Sequence, residues 1–196
     1  NYTLFTTNNQ GCDSDPAIVT LSVTPRPAQP TLANNTPICI GEDIVLSSNT
    51  AATVYRWIAP NGQDTVTASS PLTIASTSNF YVAGNWTLVV TDASGCESVA
   101  SPVANVIINT TPITPITSNS GPVCEGEDVT LMVSSVSGAT YAWYSDSMLT
   151  NLISSTQNPS ISGLTAANSP DTFYIQITAN GCLSDTGSTI VMVNSN

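Results

Sequence analysis

Wherever hydrophobic residues form a pattern in this chain, the period is two. Ile44 and Leu46, then Leu88 and Val90, set one example; Val129, Leu131 and Val133, then Ile175 and Ile177, set another. Successive side chains on a strand point to opposite faces, so this spacing predicts strands with one buried face. No stretch carries apolar residues at i, i+3 and i+4 for more than a turn, which argues against helices. Turn-forming pairs punctuate the pattern at Gly41-Glu42, Asn61-Gly62, Ser94-Gly95, Gly126-Glu127 and Asn180-Gly181. Their spacing of roughly 8–12 residues is that of a β-sandwich, so the expected class is all-β, with about seven short strands per sandwich.

The pattern itself repeats. The segment from Pro37 to Leu46 (PICIGEDIVL) returns from Pro122 to Leu131 (PVCEGEDVTL). Tyr55-Arg56-Trp57 returns as Tyr141-Ala142-Trp143, with a single residue inserted in the loop before it. Trp86 to Cys96 (WTLVVTDASGC) matches Tyr174 to Cys182 (YIQITANGC), and it also matches Tyr2 to Cys12 (YTLFTTNNQGC). After each Gly-Cys pair comes a β-branched run, at 18–24, 103–109 and 189–194, and prolines then mark the linkers at Pro25, Pro27 and Pro30 and at Pro112 and Pro115. The chain therefore divides into residues 1–25, the last two strands (F and G) of an incomplete repeat, and two whole repeats, 26–110 and 111–196.

Composition narrows the function. Thirteen acidic residues face two arginines, with no lysine and no histidine, for a net charge of −11. Arg26 and Arg56 cannot form the cationic patch that nucleic-acid binding requires. Chemistry based on a histidine base, a lysine Schiff base or a histidine metal ligand is excluded, and no cation is present to activate a thiol, so an enzyme is not expected. No apolar run approaches the roughly 20 residues of a membrane-spanning helix. Ser and Thr fill 54 positions while charged residues make up 8%, so hydroxyls and amides carry the solubility, as in a secreted surface protein. With neither an initiator Met nor a signal segment, Asn1 is expected to lie inside a longer gene product. Residues 1–25 are then either a repeat cut short or a hairpin completed by strands of another chain, because a lone hairpin is marginal in water.

Cys-x-Gly-Glu-Asp followed by an aromatic-x-Trp and a strand closing in Gly-Cys resembles the immunoglobulin-like and PKD-like repeats of large secreted Bacteroidetes surface proteins. The resemblance covers both whole repeats and the fragment. It implies tandem Ig-like β-sandwiches outside the cell, in adhesins, filaments or spacers beside enzyme domains. One departure from the antibody pattern is plain: the usual inter-sheet cysteine positions are aliphatic, near Val133 and at Ile175 or Ile177, and the cysteines lie elsewhere.

Two cysteine pairings follow from such repeats, and both stay open. Each repeat could be stapled internally, Cys39 to Cys96 and Cys124 to Cys182, with each loop worth about 4 kcal/mol in the chain-entropy model. In a conventional Ig topology, however, the turn after Cys39 and the hairpin holding Cys96 lie at opposite ends of a sandwich. A strand of about seven residues spans roughly 23 Å, whereas a disulfide needs Cα atoms within about 7 Å. Cys39 would then pair with Cys182 across repeats. Cys96 would pair with a preceding repeat, Cys124 with a following one, and Cys12 with a partner outside the chain.

Other residues have assignable roles. Trp57 and Trp143 are expected as core aromatics on strand C. Trp86 is either a packing residue or, with Tyr81, a sugar-stacking face. The acids Asp13, Asp15, Glu42, Asp43, Glu125, Glu127 and Asp128 gather at turns, where carboxylates suit calcium at repeat junctions, although no Asp-x-Asp-x-Asp-Gly loop is present. No other cofactor is expected. Asp64-Thr65-Val66 and Asp146-Ser147-Met148 fit the acceptor pattern for O-glycosylation in secreted Bacteroidetes proteins, so the resemblance makes Thr65 and Ser147 the candidates. The expected function is a structural repeat protein forming a fibre, stalk or adhesin shaft on a bacterial surface, with copies of itself or neighbouring repeats as partners. The alternatives are a glycan- or protein-binding adhesin module and a spacer attached to a secreted enzyme.

Overall fold

The computed structural model describes all 196 residues and contains strands, turns and a single 3-10 turn, Ala166–Asn168. The fragment forms an antiparallel hairpin of β1 (Tyr2–Leu4) and β2 (Ala17–Val19). The first whole repeat supplies β3 (Ala33–Asn34), β4 (Ile38–Cys39), β5 (Ile44–Ser47), β6 (Val54–Ile58), β7 (Asp64–Thr67), β8 (Leu72–Ile74), β9 (Gly84–Thr91), β10 (Ala104–Val106) and β11 (Ile108–Asn109). The second repeats the order with β12 (Thr117–Asn119), β13 (Val123–Cys124), β14 (Val129–Val133), β15 (Thr140–Tyr144), β16 (Leu152–Ser154) and β17 (Ser160–Ile161). It closes with β18 (Asp171–Ala179), β19 (Cys182–Leu183), β20 (Gly187–Val191) and β21 (Val193–Asn194).

Two compact units share these strands. One comprises residues 1–33, 46–72 and 85–104; the other comprises 34–45, 73–84 and 105–196. The units do not coincide with the sequence repeats, because the second unit takes in the whole second repeat together with segments of the first.

In the first unit β6 pairs antiparallel with both β7 and β9, placing Trp57 opposite Thr65 on one side and Leu88 on the other. Trp57, Trp86, Leu88 and Val90 are fully buried, as the period-two pattern requires. The Trp57 indole N–H donates to Thr67 Oγ1 at 2.9 Å, which satisfies the one polar atom that burial would otherwise strand. The Tyr55 ring stacks beside it, with centroids 6.0 Å apart. Ser98 and Ser101 bond to β9 ahead of β10, the strand beside it in the sheet. Their hydroxyls accept from Val90 N and Leu88 N, and their own N–H groups donate to Val90 O and Leu88 O. The hairpin β1–β2 differs from this pattern. Tyr2 and Leu4, which match Trp86 and Leu88 in sequence, are exposed there.

The second unit contains a sandwich. One sheet has the order β12-β14-β17; the other runs β16-β15-β18, with β19 and β20 both pairing β18. Between them lie Val129, Leu131, Val133, Trp143, Phe173, Ile175, Ile177 and Val191. The aliphatic residues at the antibody cysteine positions thus fill the core. Trp143 is fully buried opposite Ile175, and its indole N–H donates to Gln157 O at 3.1 Å. At Gly187 a Cβ would sit 2.7 Å from Pro115 O, so only glycine lets the linker lie this close to β20. A short parallel pair, β13 with β21, sets Cys124 opposite Asn194.

Candidate functional site

The most specific arrangement of side chains surrounds Cys39, and it lies wholly within the second unit. Strand β4 pairs in parallel with β11, Cys39 opposite Asn109. Ile38 N donates to Ile107 O and Ile40 N to Asn109 O. The turn that follows is closed by Glu42, whose carboxylate accepts from Cys39 N at 2.7 Å while Glu42 N donates to Cys39 O. Gly41 holds φ +98° inside that turn, a conformation costly for any residue with a Cβ. The result is a small platform with the Cys39 sulfur and the Asn109 amide side by side.

A hairpin tip meets this platform. Ala179 and Cys182 face each other at the end of β18 and β19, joined by Asn180 (φ +52°) and Gly181 (φ +81°). Two successive positive φ values make the tight two-residue turn for which Asn-Gly is the preferred pair. Asn109 Nδ2 donates to Asn180 O at 2.9 Å, and Cys39 is bonded to Cys182, with Cα atoms 5.6 Å apart. Cys182 is fully buried, and the Tyr81 hydroxyl donates to Cys39 O at 3.4 Å. The bridge closes a loop with a sequence separation of 143, worth about 5 kcal/mol in the chain-entropy model.

Cys39–Cys182 is the cross-repeat pairing of the two left open by the sequence; Cys39–Cys96 and Cys124–Cys182 are not formed. In the second repeat the reason is distance along β18. Cys124 pairs with Asn194, just beyond Val191, which faces Asp171 at the start of β18, whereas Cys182 faces Ala179 at its end. The intervening strand is roughly 27 Å long at the usual rise per residue, far beyond disulfide reach. Cys96 belongs to the other compact unit. Cys12, Cys96 and Cys124 are free, Cys12 and Cys124 being exposed and Cys96 half-buried.

The remaining candidates are dispersed. Trp86 is fully buried and offers no ring face to a sugar, which corrects the ligand reading in favour of packing. Tyr81 is half-buried beside Cys39. Thr65 is half-buried on β7, and Ser147 is exposed in the turn after β15. Asp146 organises that turn: hydrogen bonds from the Asn151 backbone, then from Thr150 and Met148, hold its carboxyl below the ordinary carboxylate value, against a smaller opposing effect of burial. Asp92 does the same at the tip preceding Cys96, its pKa lowered first by the Ser94 hydroxyl and then by Cys96 N. Glu127 caps Cys124 N, and Asp43 accepts from Ser76 N. These turn acids are engaged with backbone N–H groups, and no three of the His, Cys, Asp or Glu side chains gather as a metal site would need. Arg56 reaches Asp64 and Glu97 at 3.6 and 3.7 Å on the surface, where such pairs contribute little. The role of the Asn109 amide was not read from the sequence. Its signal was there in the asparagine ending the same strand of each whole repeat, Asn109 and Asn194.

Two sheets packed around a buried Trp on β15, with the β13–β21 pair parallel, form an architecture with known counterparts. Residues 112–195 match the family model described as "Ig-like domain CHU_C associated". The fold is immunoglobulin-like. The family match agrees with the resemblance to the Ig-like repeats of Bacteroidetes surface proteins. Among solved structures, the chain is similar to the N-terminal eight Ig domains of Down Syndrome Cell Adhesion Molecule, at 14% identity over 97% of this chain and 27% of that one, TM-score 0.53. It is also similar to a chain in the crystal structure of the mouse coronavirus receptor-binding domain with its murine receptor, at 14% identity over 85% of this chain and all of that one, TM-score 0.50. At such identities the likeness is one of fold. No curated protein matches the chain.

Proposed function

We propose that this chain is a structural, non-enzymatic segment of an extracellular surface protein, in which tandem Ig-like repeats form the shaft of a fibre, stalk or adhesin. The observation that carries this reading is the Cys39–Cys182 bond, a covalent tie between two successive sequence repeats. A tie of that kind limits how far the polypeptide can be drawn out under load. The composition supports the same reading: a surface of hydroxyls and few charges suits close packing with other repeats, and disulfides persist in oxidising compartments. The exposed Ser147 belongs to this picture as an acceptor for O-linked glycans, with Thr65 as the second candidate.

Labelling of intact and permeabilised source cells with an antibody against the chain, read by electron microscopy, tests the proposal. The expected result is label on intact cells, along filaments or stalks projecting from the surface. Label confined to permeabilised cells would overturn it.

A further inference from the structure

We propose that Cys124 and Asn194 form a second docking platform, and that it takes the Gly-Cys hairpin tip of another copy of this chain, with Cys124 bonded to that copy's Cys96. The inference rests on the shaft reading and deepens it by naming a partner and the residues that hold it.

The support is a match in strand pairing, glutamate cap and glycine turn with a platform seen in its engaged state. The two differ in that the Tyr81 bond to Cys39 O has no counterpart and Asn196 Nδ2 donates to Glu125 O only in the second. Cys124 faces Asn194 in a parallel pair, as Cys39 faces Asn109. Val123 N donates to Met192 O and Glu125 N to Asn194 O, as Ile38 N and Ile40 N donate to Ile107 O and Asn109 O. Glu127 caps Cys124 N at 2.8 Å, as Glu42 caps Cys39 N at 2.7 Å. Gly126 holds φ +89° where Gly41 holds +98°. In the first platform the Asn amide grips the carbonyl two residues before the incoming cysteine, and the sulfurs are bonded. In the second, Cys124 is free and exposed, and the Asn194 residue beside it is exposed.

The chain also holds the complementary part. Ser94-Gly95-Cys96 corresponds to Asn180-Gly181-Cys182, with the turn closed by Asp92, whose carboxylate accepts from Ser94 N and Cys96 N. Ser94 and Gly95 are exposed, and Cys96 is free and half-buried. This tip extends from β9, which is held in a sheet with β6, so it is better pre-organised than the similar tip before Cys12 on the exposed hairpin. The Asn194 amide would donate to Ser94 O as Asn109 donates to Asn180 O. Because platform and tip are different surfaces, the contact is heterologous, so each copy can receive one neighbour and be received by another.

The bond forms by exchange with a low-molecular-weight disulfide such as oxidised glutathione. The Cys124 thiolate displaces one glutathione thiol to give a mixed disulfide, and the Cys96 thiolate of the second copy then displaces the other. Two protein thiols and one glutathione disulfide become one protein disulfide and two glutathione thiols.

The test is incubation of the purified full chain in a glutathione redox buffer, followed by non-reducing electrophoresis and digestion with a glutamate-specific protease. Cleavage at Glu42, Glu97, Glu125 and Glu127 separates Cys96 (fragment 43–97), Cys124 (98–125) and Cys182 (128–196). The expected result is a ladder of oligomers in which 98–125 is joined to 43–97, is lost in Cys124→Ser, and forms roughly five-fold more slowly in Asn194→Ala, the factor an ordinary hydrogen bond supplies. Fragment 98–125 joined to itself or to 1–42, a chain that stays monomeric, or an Asn194→Ala rate equal to wild type would each overturn the inference. None of these results alters the cell-labelling outcome, so failure here is distinct from failure of the shaft reading.

Discussion

Pulling the chain from its two ends gives a quantitative prediction. An extended polypeptide reaches about 3.5 Å per residue, so a fully unfolded chain of this length would extend to roughly 690 Å. The Cys39–Cys182 bond removes a sequence separation of 143 from the 196 residues, leaving 53 free to extend. That corresponds to roughly 185 Å at the same reach. Staples inside each repeat would behave differently. Cys39–Cys96 and Cys124–Cys182 would together lock 115 residues, leaving 81 and a contour of roughly 285 Å. Single-molecule force spectroscopy with handles at both termini resolves differences of this size. The oxidised chain is expected to stop at the shortest of these three lengths, and adding reductant during the pull is expected to release the remaining length in one step. Extension to the within-repeat contour, or to the full unfolded contour before reduction, would mean that the bond does not carry load across repeats.

Three further outcomes are expected. Trp143→Ala deletes the largest fully buried side chain of the second unit's sandwich and should cost about 3–5 kcal/mol in denaturant unfolding; a loss below about 1 kcal/mol would contradict the packing described. Gly187→Ala should destabilise by about 1–3 kcal/mol, because the added carbon meets the backbone of Pro115 rather than a movable side chain; an unchanged melting temperature would show that the linker shifts freely. Asp92 and Asp146 have folded pKa values below 3.8, so their contribution is present above that value and disappears as pH falls through the lower folded one. Thermal melts between pH 5 and pH 2 should therefore show a stability loss beginning below about 3.8 that is smaller in the Asp92→Asn, Asp146→Asn double variant, and an identical pH profile would remove the role assigned to these turns.

Much of the fold was legible because strand burial has a period that sequence displays directly. Ile44, Leu46, Val129 and Leu131 are fully buried where alternation put them, and the repeated Pro-x-Cys motif marks β4 and β13. Trp57 and Trp143 were recognisable from their place after that motif. Trp86 was ambiguous because an aromatic at a strand start serves a core or a ligand equally well, and burial alone decides. The cysteine pairing was legible only as two alternatives, Cys39–Cys182 being the one that strand length in an Ig topology favours, since spacing reports separation along the chain whereas a disulfide reports separation in space. The compact units were hidden for a related reason: residues 34–45 and 73–84 repeat with one set of strands and pack with another. The Asn109 amide escaped notice because its partner, Asn180 O, is a backbone atom 71 residues away.

Successive repeats of this chain are tied to each other through Cys39 and Cys182. Peptide mapping of the unreduced monomer tests it most directly, using a Cys12→Ser variant so that fragment 1–42 carries Cys39 alone. After glutamate-specific digestion, fragment 1–42 should be found covalently joined to fragment 128–196. Fragment 98–125 joined to 128–196, or 1–42 joined to 43–97, would contradict it.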